Sequence, residues 1–152
     1  MPEALPTFFH QPETLGPLDN IYRNLCAFYS IRHFLGDREA KGYLSKTEFF
    51  VQATKIYIDI GMSKEDAEEL ANAGNDPAVI DRFLPNGSES RPQNLATRPK
   101  MLIALADKAH FITVLKIGNK WYNYDSLLPE PALIASIDAF LGANRGQRYW
   151  SS

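Results

Sequence analysis

The stretch HFITVLKIGNKWYNYDSLL, residues 110–128, predicts a β-hairpin. On both sides of Gly118-Asn119 it is rich in β-branched and aromatic side chains, which favour strands. Gly-Asn is a dipeptide that closes two-residue hairpin turns. Such a turn pairs Ile117 with Lys120, and this first pair sets the register of every later one.

The hairpin register predicts that His110 and Asp125 are close in space. Side chains alternate between the two faces of a strand, so both residues lie on the same face. They are diagonal neighbours, roughly 7–8 Å apart between backbones, which an imidazole and a carboxylate can bridge. A three-residue turn would put them on opposite faces. Asn123 shares their face one pair further along and is the competing partner. A His held by an acid supplies two parts of a nucleophilic triad.

The only cysteine, Cys26, begins a helical pattern of apolar residues that ends at Gly36, a favourable C-cap. Cys26 therefore lies at or near a helix N-terminus. There the helix dipole and the backbone N–H groups stabilise a thiolate and an oxyanion. His33 lies on the same helix face, but seven residues of helix rise about 10 Å, too far for a hydrogen bond to the thiol. We expect His33 to be structural.

Bulk properties narrow the class of protein. A chain of 152 residues with a net charge of −2 is expected to form one domain without affinity for nucleic acid. One cysteine excludes an internal disulfide framework and favours a reducing compartment, and no zinc-ligand spacing occurs. There is no secretory signal pattern and no apolar run near the ~18–20 residues of a membrane span. We expect a soluble cytoplasmic protein without metal or cofactor.

The first half of the chain is predicted to be helical after an irregular lead-in over 1–20, which is rich in proline. Capping patterns divide residues 46–83 into three helices, beginning after Ser45, after Ser63 and at Pro77. A polar, proline-rich loop is expected over 85–100.

The second half is predicted to be mainly strands. An apolar strand over 101–106 turns at 107–108 into the hairpin and forms a three-stranded antiparallel meander with it. Residues 129–131, Pro-Glu-Pro, are expected to open a last helix, and 147–150 a final edge strand. Together the two halves predict an α+β fold.

At the two key segments the sequence resembles the Josephin family, papain-like cysteine proteases that act as deubiquitinases. The family has Leu-Cys-Ala at a helix start, which is found here at 25–27. It also has a His-aromatic-x-Thr-Val strand, a glycine turn and a Trp-aromatic-Asn strand ending in Ser-Leu-Leu. This chain has HFITV at 110–114, Gly118, and WYNYDSLL at 121–128.

The resemblance implies a role for each matching residue. Cys26 would be the nucleophile, His110 the base and Asp125 the orienting acid, where the family usually has Asn. The family's oxyanion-hole Gln has no match, because Ile21 stands at the expected place. Two amides lie near this place, Asn20 next to Ile21 and Asn24 closer to Cys26, and we predict that Asn20 supplies the side-chain donor.

The resemblance also implies a papain-like fold and a thiol-dependent deubiquitinase that hydrolyses isopeptide bonds of ubiquitin or a ubiquitin-like modifier. Residues 46–83 would be the family's helical arm beside the ubiquitin site. Two alternatives stay open: a papain-fold deamidase or transglutaminase effector with the same triad, or a catalytically weak ubiquitin-binding module. A divergent microbial member secreted as an effector would act in the host cytosol.

Overall fold

A computed structural model of the chain describes residues 5–6, 8–9, 26–40, 46–73, 77–84, 88–89, 98–106 and 110–151. In this part of the chain the helices are α1 (Cys26–Ala40), α2 (Lys46–Asp59), α3 (Lys64–Ala73), α4 (Pro77–Phe83) and α5 (Ile137–Ala143). The strands are β1 (Ser88–Glu89), β2 (Lys100–Leu105), β3 (Phe111–Ile117), β4 (Lys120–Tyr124), β5 (Ala132–Ile134) and β6 (Gly146–Ser151). They form one sheet in the order β1-β6-β2-β3-β4-β5, and each neighbouring pair is antiparallel. The predicted α+β class is confirmed.

The β3–β4 hairpin has the predicted register. Ile117 pairs with Lys120 and Thr113 with Tyr124, so the loop contains two residues. Gly118 has φ +63°, a left-handed conformation that glycine adopts without strain. Extending the register by one residue places Asp125 opposite Ile112, as the sequence predicted.

In the described part of the chain helix α1 covers Cys26–Ala40, so Cys26 is helical, as predicted. Its regular conformation is interrupted at Gly36, with φ +77° and ψ +176°, where the C-cap was expected. The thiol therefore lies on the first described turn of α1, ten residues before the interruption at Gly36.

The predicted helical block over 46–83 is confirmed as α2, α3 and α4. Helix α2 ends in a Schellman motif, in which the Gly61 N–H donates to Ile58 and the Met62 N–H donates to Tyr57, each at 3.0 Å. The Ser63 hydroxyl accepts from the Asp66 N–H at 3.2 Å and caps α3. Ser45, the predicted cap of α2, lies outside the described residues.

The prediction of a last helix opened by 129–131 is wrong at its start. Residues 132–134 are strand β5, which pairs with β4 through Trp121 and Ile134. Helix α5 begins only at Ile137, where the Ser136 hydroxyl accepts from the Ala139 N–H at 3.2 Å. The edge of β4 presents unpaired backbone N–H and C=O groups, and pairing with residues 132–134 satisfies them. The local helical pattern does not include this distant partner.

Two predictions about the other edge of the sheet also need correction. Ser88–Glu89, inside the predicted loop over 85–100, is strand β1 and pairs with Trp150 and Ser151 of β6. Strand β6 is consequently not an edge strand, because it lies between β1 and β2. Residues 90–97 and the predicted turn at 107–108 lie outside the described residues.

Buried side chains cover both faces of the sheet. On one face, residues of β2, β3 and β6 pack against α1 to α4 in a cluster that includes Phe28, Leu102 and Trp150. On the other face, a second cluster that includes Ile103 and Trp121 packs against apolar residues of α5. Leu102 and Ile103 are consecutive in β2, so their separation into two clusters is the alternation expected of a strand. None of the described helices is long and apolar enough to cross a membrane.

Candidate active site

His110 and Asp125 meet at the end of the sheet where β3 begins and β4 finishes. The His110 Nε2 lies 2.7 Å from the Asp125 Oδ1, a short, charge-assisted hydrogen bond. Both side chains are largely buried, with exposed fractions of 11% and 20%. The contact predicted from the hairpin register is confirmed.

The Asp125 carboxylate is held in place by the turn that follows β4. The same Oδ1 accepts the Leu127 N–H at 3.0 Å, and the Asp125 carbonyl accepts the Leu128 N–H at 2.9 Å. A carboxylate fixed from its own backbone loses little further freedom when it binds the imidazole. The Asp125 side chain is thus oriented by its own turn as well as by His110.

Cys26 completes the constellation from helix α1. Its side chain is buried and lies close enough to His110 to raise the pKa of the imidazole through hydrogen bonding and charge. Because Nε2 of the ring binds Asp125, Nδ1 is the nitrogen left to meet the thiol. The structure therefore brings together the three residues that the sequence analysis singled out, in the order thiol, imidazole, carboxylate.

The environment of His110 favours its charged form. Burial acts to lower the pKa of the imidazole, but the hydrogen bonds and charges of Asp125 and Cys26 outweigh it and raise the pKa to about 9. At neutral pH the ring is an imidazolium between an acid and a thiol. A cation at that position is the electrostatic partner that a thiolate requires.

Two buried hydroxyls join α1 to β3 beside the site. The Ser30 Oγ donates to the Phe111 carbonyl at 2.8 Å, and the Thr113 Oγ1 donates to the Ser30 carbonyl at 2.6 Å. Ser30 lies one turn after Cys26, and Phe111 directly follows His110, so these bonds fix the thiol against the imidazole. This pair of hydroxyls was not predicted from the sequence. Its signal is a hydroxyl at an otherwise apolar position of each element.

His33 contacts a different set of residues, as expected for a structural histidine. It is buried, and its Nε2 accepts the Phe9 N–H at 2.9 Å. Burial is the main cause that lowers its pKa to about 4. The Arg32 charge acts in the same direction, while the nearby Tyr124 backbone and the Asp125 charge oppose it. His33 is therefore neutral at physiological pH.

Two other residues were candidates for the site, Asn123 as the partner of His110 and Asn20 as an oxyanion donor. Asn123 pairs with Val114, and among the described residues its buried Oδ1 has no hydrogen-bond partner, so Asp125 is the residue that holds His110. Asn20, the predicted oxyanion donor, lies outside the described residues. In the same described part of the chain, no group of three or more His, Cys, Asp or Glu side chains is arranged to hold a metal ion.

No model of a known protein family matches the chain, and no curated protein matches it significantly.

Proposed function

We propose that the chain is a thiol-dependent deubiquitinase with a papain-like, Josephin-like fold, which hydrolyses isopeptide bonds of ubiquitin or a ubiquitin-like modifier. One observation carries the proposal: the buried Cys26 thiol acts on the His110 imidazole, whose Nε2 lies 2.7 Å from the Asp125 carboxylate. Nucleophile, base and orienting acid in this sequence are the parts that thiol acyl transfer needs.

In the first half of the reaction the Cys26 thiolate attacks the carbonyl carbon of the isopeptide bond. The electron pair of the carbonyl moves to its oxygen and forms a tetrahedral oxyanion. As this intermediate collapses, the C–N bond breaks and the His110 imidazolium gives its proton to the leaving lysine amine. The products are a free lysine side chain and a thioester on Cys26.

In the second half the neutral His110 takes a proton from water, whose oxygen attacks the thioester. Collapse of this second oxyanion breaks the C–S bond and releases the carboxyl terminus of the modifier. The proton stays on His110 beside the restored Cys26 thiolate. Asp125 keeps one ring orientation through both halves, so the same nitrogen exchanges the proton each time.

We assign the oxyanion to the N-terminal end of α1. The Cys26 backbone N–H and the predicted side-chain donor Asn20 would bind it, assisted by the helix dipole. Loss of one such donor typically reduces kcat by about 10²–10³. The substitution Asn20→Ala is therefore expected to lower turnover by that factor if the assignment is right.

Two features support ubiquitin or a relative as the substrate. The hairpin sequence resembles the Josephin motif over 110–128, and the three residues implied by that resemblance meet in space. The order of elements also suits the proposal: a Cys helix, then three helices within 46–83, then the strands that carry His110 and Asp125. In the family a helical arm stands at this point beside the ubiquitin site.

The test is covalent labelling with a ubiquitin probe that carries an electrophile at its C-terminus. We expect an adduct with the wild-type chain and none with Cys26→Ala, while His110→Ala should label at a strongly reduced rate. Iodoacetamide supplies the matched control, because it measures the thiol without requiring recognition of ubiquitin. Hydrolysis of an isopeptide-linked ubiquitin substrate should show the same dependence on the two residues.

Full cleavage by Cys26→Ala would overturn the mechanism. A thiol that reacts quickly with iodoacetamide but not with the ubiquitin probe would overturn the substrate and favour the deamidase or transglutaminase alternative, for which release of ammonia is the assay. A thiol no faster than free cysteine near neutral pH, in a chain that still binds ubiquitin, would favour the binding-module alternative.

A further inference from the structure

An amino-terminal segment, residues 5, 6, 8 and 9, lies against the back of the candidate site. Its backbone is held at two points. The Tyr124 hydroxyl donates to the Pro6 carbonyl at 2.8 Å, and the Phe9 N–H donates to the His33 Nε2 at 2.9 Å. The first anchor belongs to strand β4 and the second to helix α1, so the segment connects the two elements.

Aromatic rings fill the space between these anchors. The Phe8 ring stacks on His33, with centroids 5.2 Å apart and planes at 5°, and it meets the edge of Tyr124 at 5.7 Å. The Phe9 ring also stacks on the His33 imidazole, with centroids 5.8 Å apart. The Tyr124 ring and the His33 imidazole form an edge-to-face pair with centroids 5.2 Å apart. We call Phe8, Phe9, His33 and Tyr124 the aromatic cluster.

The aromatic cluster is adjacent in sequence to one member of the candidate triad and shares a helix with another. Tyr124 is the residue immediately before Asp125, and it is fully buried. His33 lies two turns after Cys26 on α1. A shift of Tyr124 within the cluster would therefore move the Asp125 backbone relative to the helix that carries the thiol.

A histidine is needed here for more than its ring. Stacking alone would be served by a phenylalanine, which has no polar atoms to bury. The hydrogen bond from Phe9 assigns the ring proton to Nδ1 and uses the Nε2 lone pair to hold the amino-terminal segment. The imidazole thus supplies a stacking surface and a buried acceptor at the same position.

We propose that the aromatic cluster, with the amino-terminal segment hydrogen-bonded into it, holds Asp125 where it binds His110, and that His33 is a positioning residue of the site. Its effect on catalysis rests on the proposed function. Its effect on the geometry of the His110–Asp125 pair does not, and that effect can be measured without any substrate.

The test is an NMR titration of His110 in the full chain, with His33→Phe and Tyr124→Phe as the variants. His33→Phe removes the acceptor and keeps a ring; Tyr124→Phe removes only the hydroxyl that holds Pro6. Neither variant removes a charge at neutral pH, because His33 is neutral there, so a change in the His110 titration must come through geometry. Tyr149→Phe is the matched control, since its hydroxyl accepts the Gly146 N–H at 2.7 Å in the other core cluster.

We expect the His110 pKa to fall by about one unit from its wild-type value in both variants, the lower end of what a neighbouring carboxylate supplies. Tyr149→Phe should leave it unchanged while lowering the urea midpoint. In the labelling reaction with the ubiquitin probe, the alkaline limb of the pH profile should move down by the same amount.

The outcomes separate the two proposals. If His110 titrates in Tyr124→Phe as it does in the wild type, the positioning role is overturned, whatever the labelling result. This variant alone is sufficient if His33→Phe does not fold. A downward shift in the variants with no ubiquitin labelling of the wild type supports the positioning role and overturns the proposed function. An equal shift in Tyr149→Phe overturns the positioning role as well, because general loosening would then explain it.

Discussion

Replacement of Asp125 by Asn removes the negative charge that faces His110 and preserves the shape of the side chain. The wild-type pKa of His110, about 9 against 6.5 for a free imidazole, corresponds to about 3 kcal/mol of stabilisation of the charged ring. Cys26 supplies part of this. A hydrogen bond to a charged partner contributes about 1.5–3 kcal/mol by itself. We therefore expect Asp125→Asn to lower the free energy of unfolding by about 1.5–3 kcal/mol near pH 6.

The size of this loss should depend on pH in one direction. The pKa of His110 is higher in the folded state than in the unfolded state. Its contribution to stability is therefore complete below pH 6.5 and disappears as the pH rises through about 9. The difference between the wild type and Asp125→Asn should follow the same course and become small at about pH 10.

Urea unfolding of both proteins, at about pH 6 and about pH 10, measures the effect. Asp138→Asn is the matched control, because Asp138 is an exposed acid in the first turn of α5. It should cost less than about 0.5 kcal/mol. A loss for Asp125→Asn that is as large at the higher pH, or absent at the lower pH, would refute the imidazolium–carboxylate pairing.

Three further predictions concern other residues. The pKa of His33 is about 4 in the folded state, below its unfolded value. The contribution of His33 to stability should therefore be present above pH 6.5 and lost as the pH falls toward 4. In His33→Phe the free energy of unfolding should fall less steeply over this range, because up to one proton fewer is taken up on unfolding. Thr113→Val removes the buried hydroxyl bonded to Ser30 and should lower the free energy of unfolding, measured in urea, by about 1–2 kcal/mol. It should also slow labelling by the ubiquitin probe. An unchanged urea midpoint would contradict this prediction. Gly146→Ala places a methyl group 2.6 Å from a side chain of β2 and should cost about 1–3 kcal/mol, whereas Gly142→Ala meets open space, so equal thermal stability of the two variants would contradict the packing described.

Local sequence signals predicted the part of the site that the hairpin builds. A two-residue turn and strict side-chain alternation leave only one register, and that register brings His110 to Asp125. The sequence also predicted that Cys26 is on a helix whose regular part ends at Gly36, because the apolar pattern runs between these two residues. These features depend on neighbours within about 15 residues.

Features set by distant partners could not be predicted in the same way. Ala132–Ile134 carries a pattern compatible with a helix, and only the open edge of β4 makes it a strand. Ser88–Glu89 is a strand because β6 lies beside it. The bonds between Ser30 and Thr113 depend on how α1 packs on the sheet, and a hydroxyl in an apolar pattern does not name its partner. The assignment of Asn20 stays a prediction.

The separation in sequence between α1 and β3 has a consequence for how the chain folds. The hydrogen bonds that join them connect residues 81 and 83 positions apart, whereas the β3–β4 hairpin is closed by a loop of two residues. Closing a long loop costs more entropy, and contacts of long sequence separation form slowly. We expect the histidine–carboxylate pair to assemble early with its hairpin and the thiol to join it late. Acquisition of thiol reactivity during refolding would then mark the docking of α1, the step at which separate local structures become a single active arrangement.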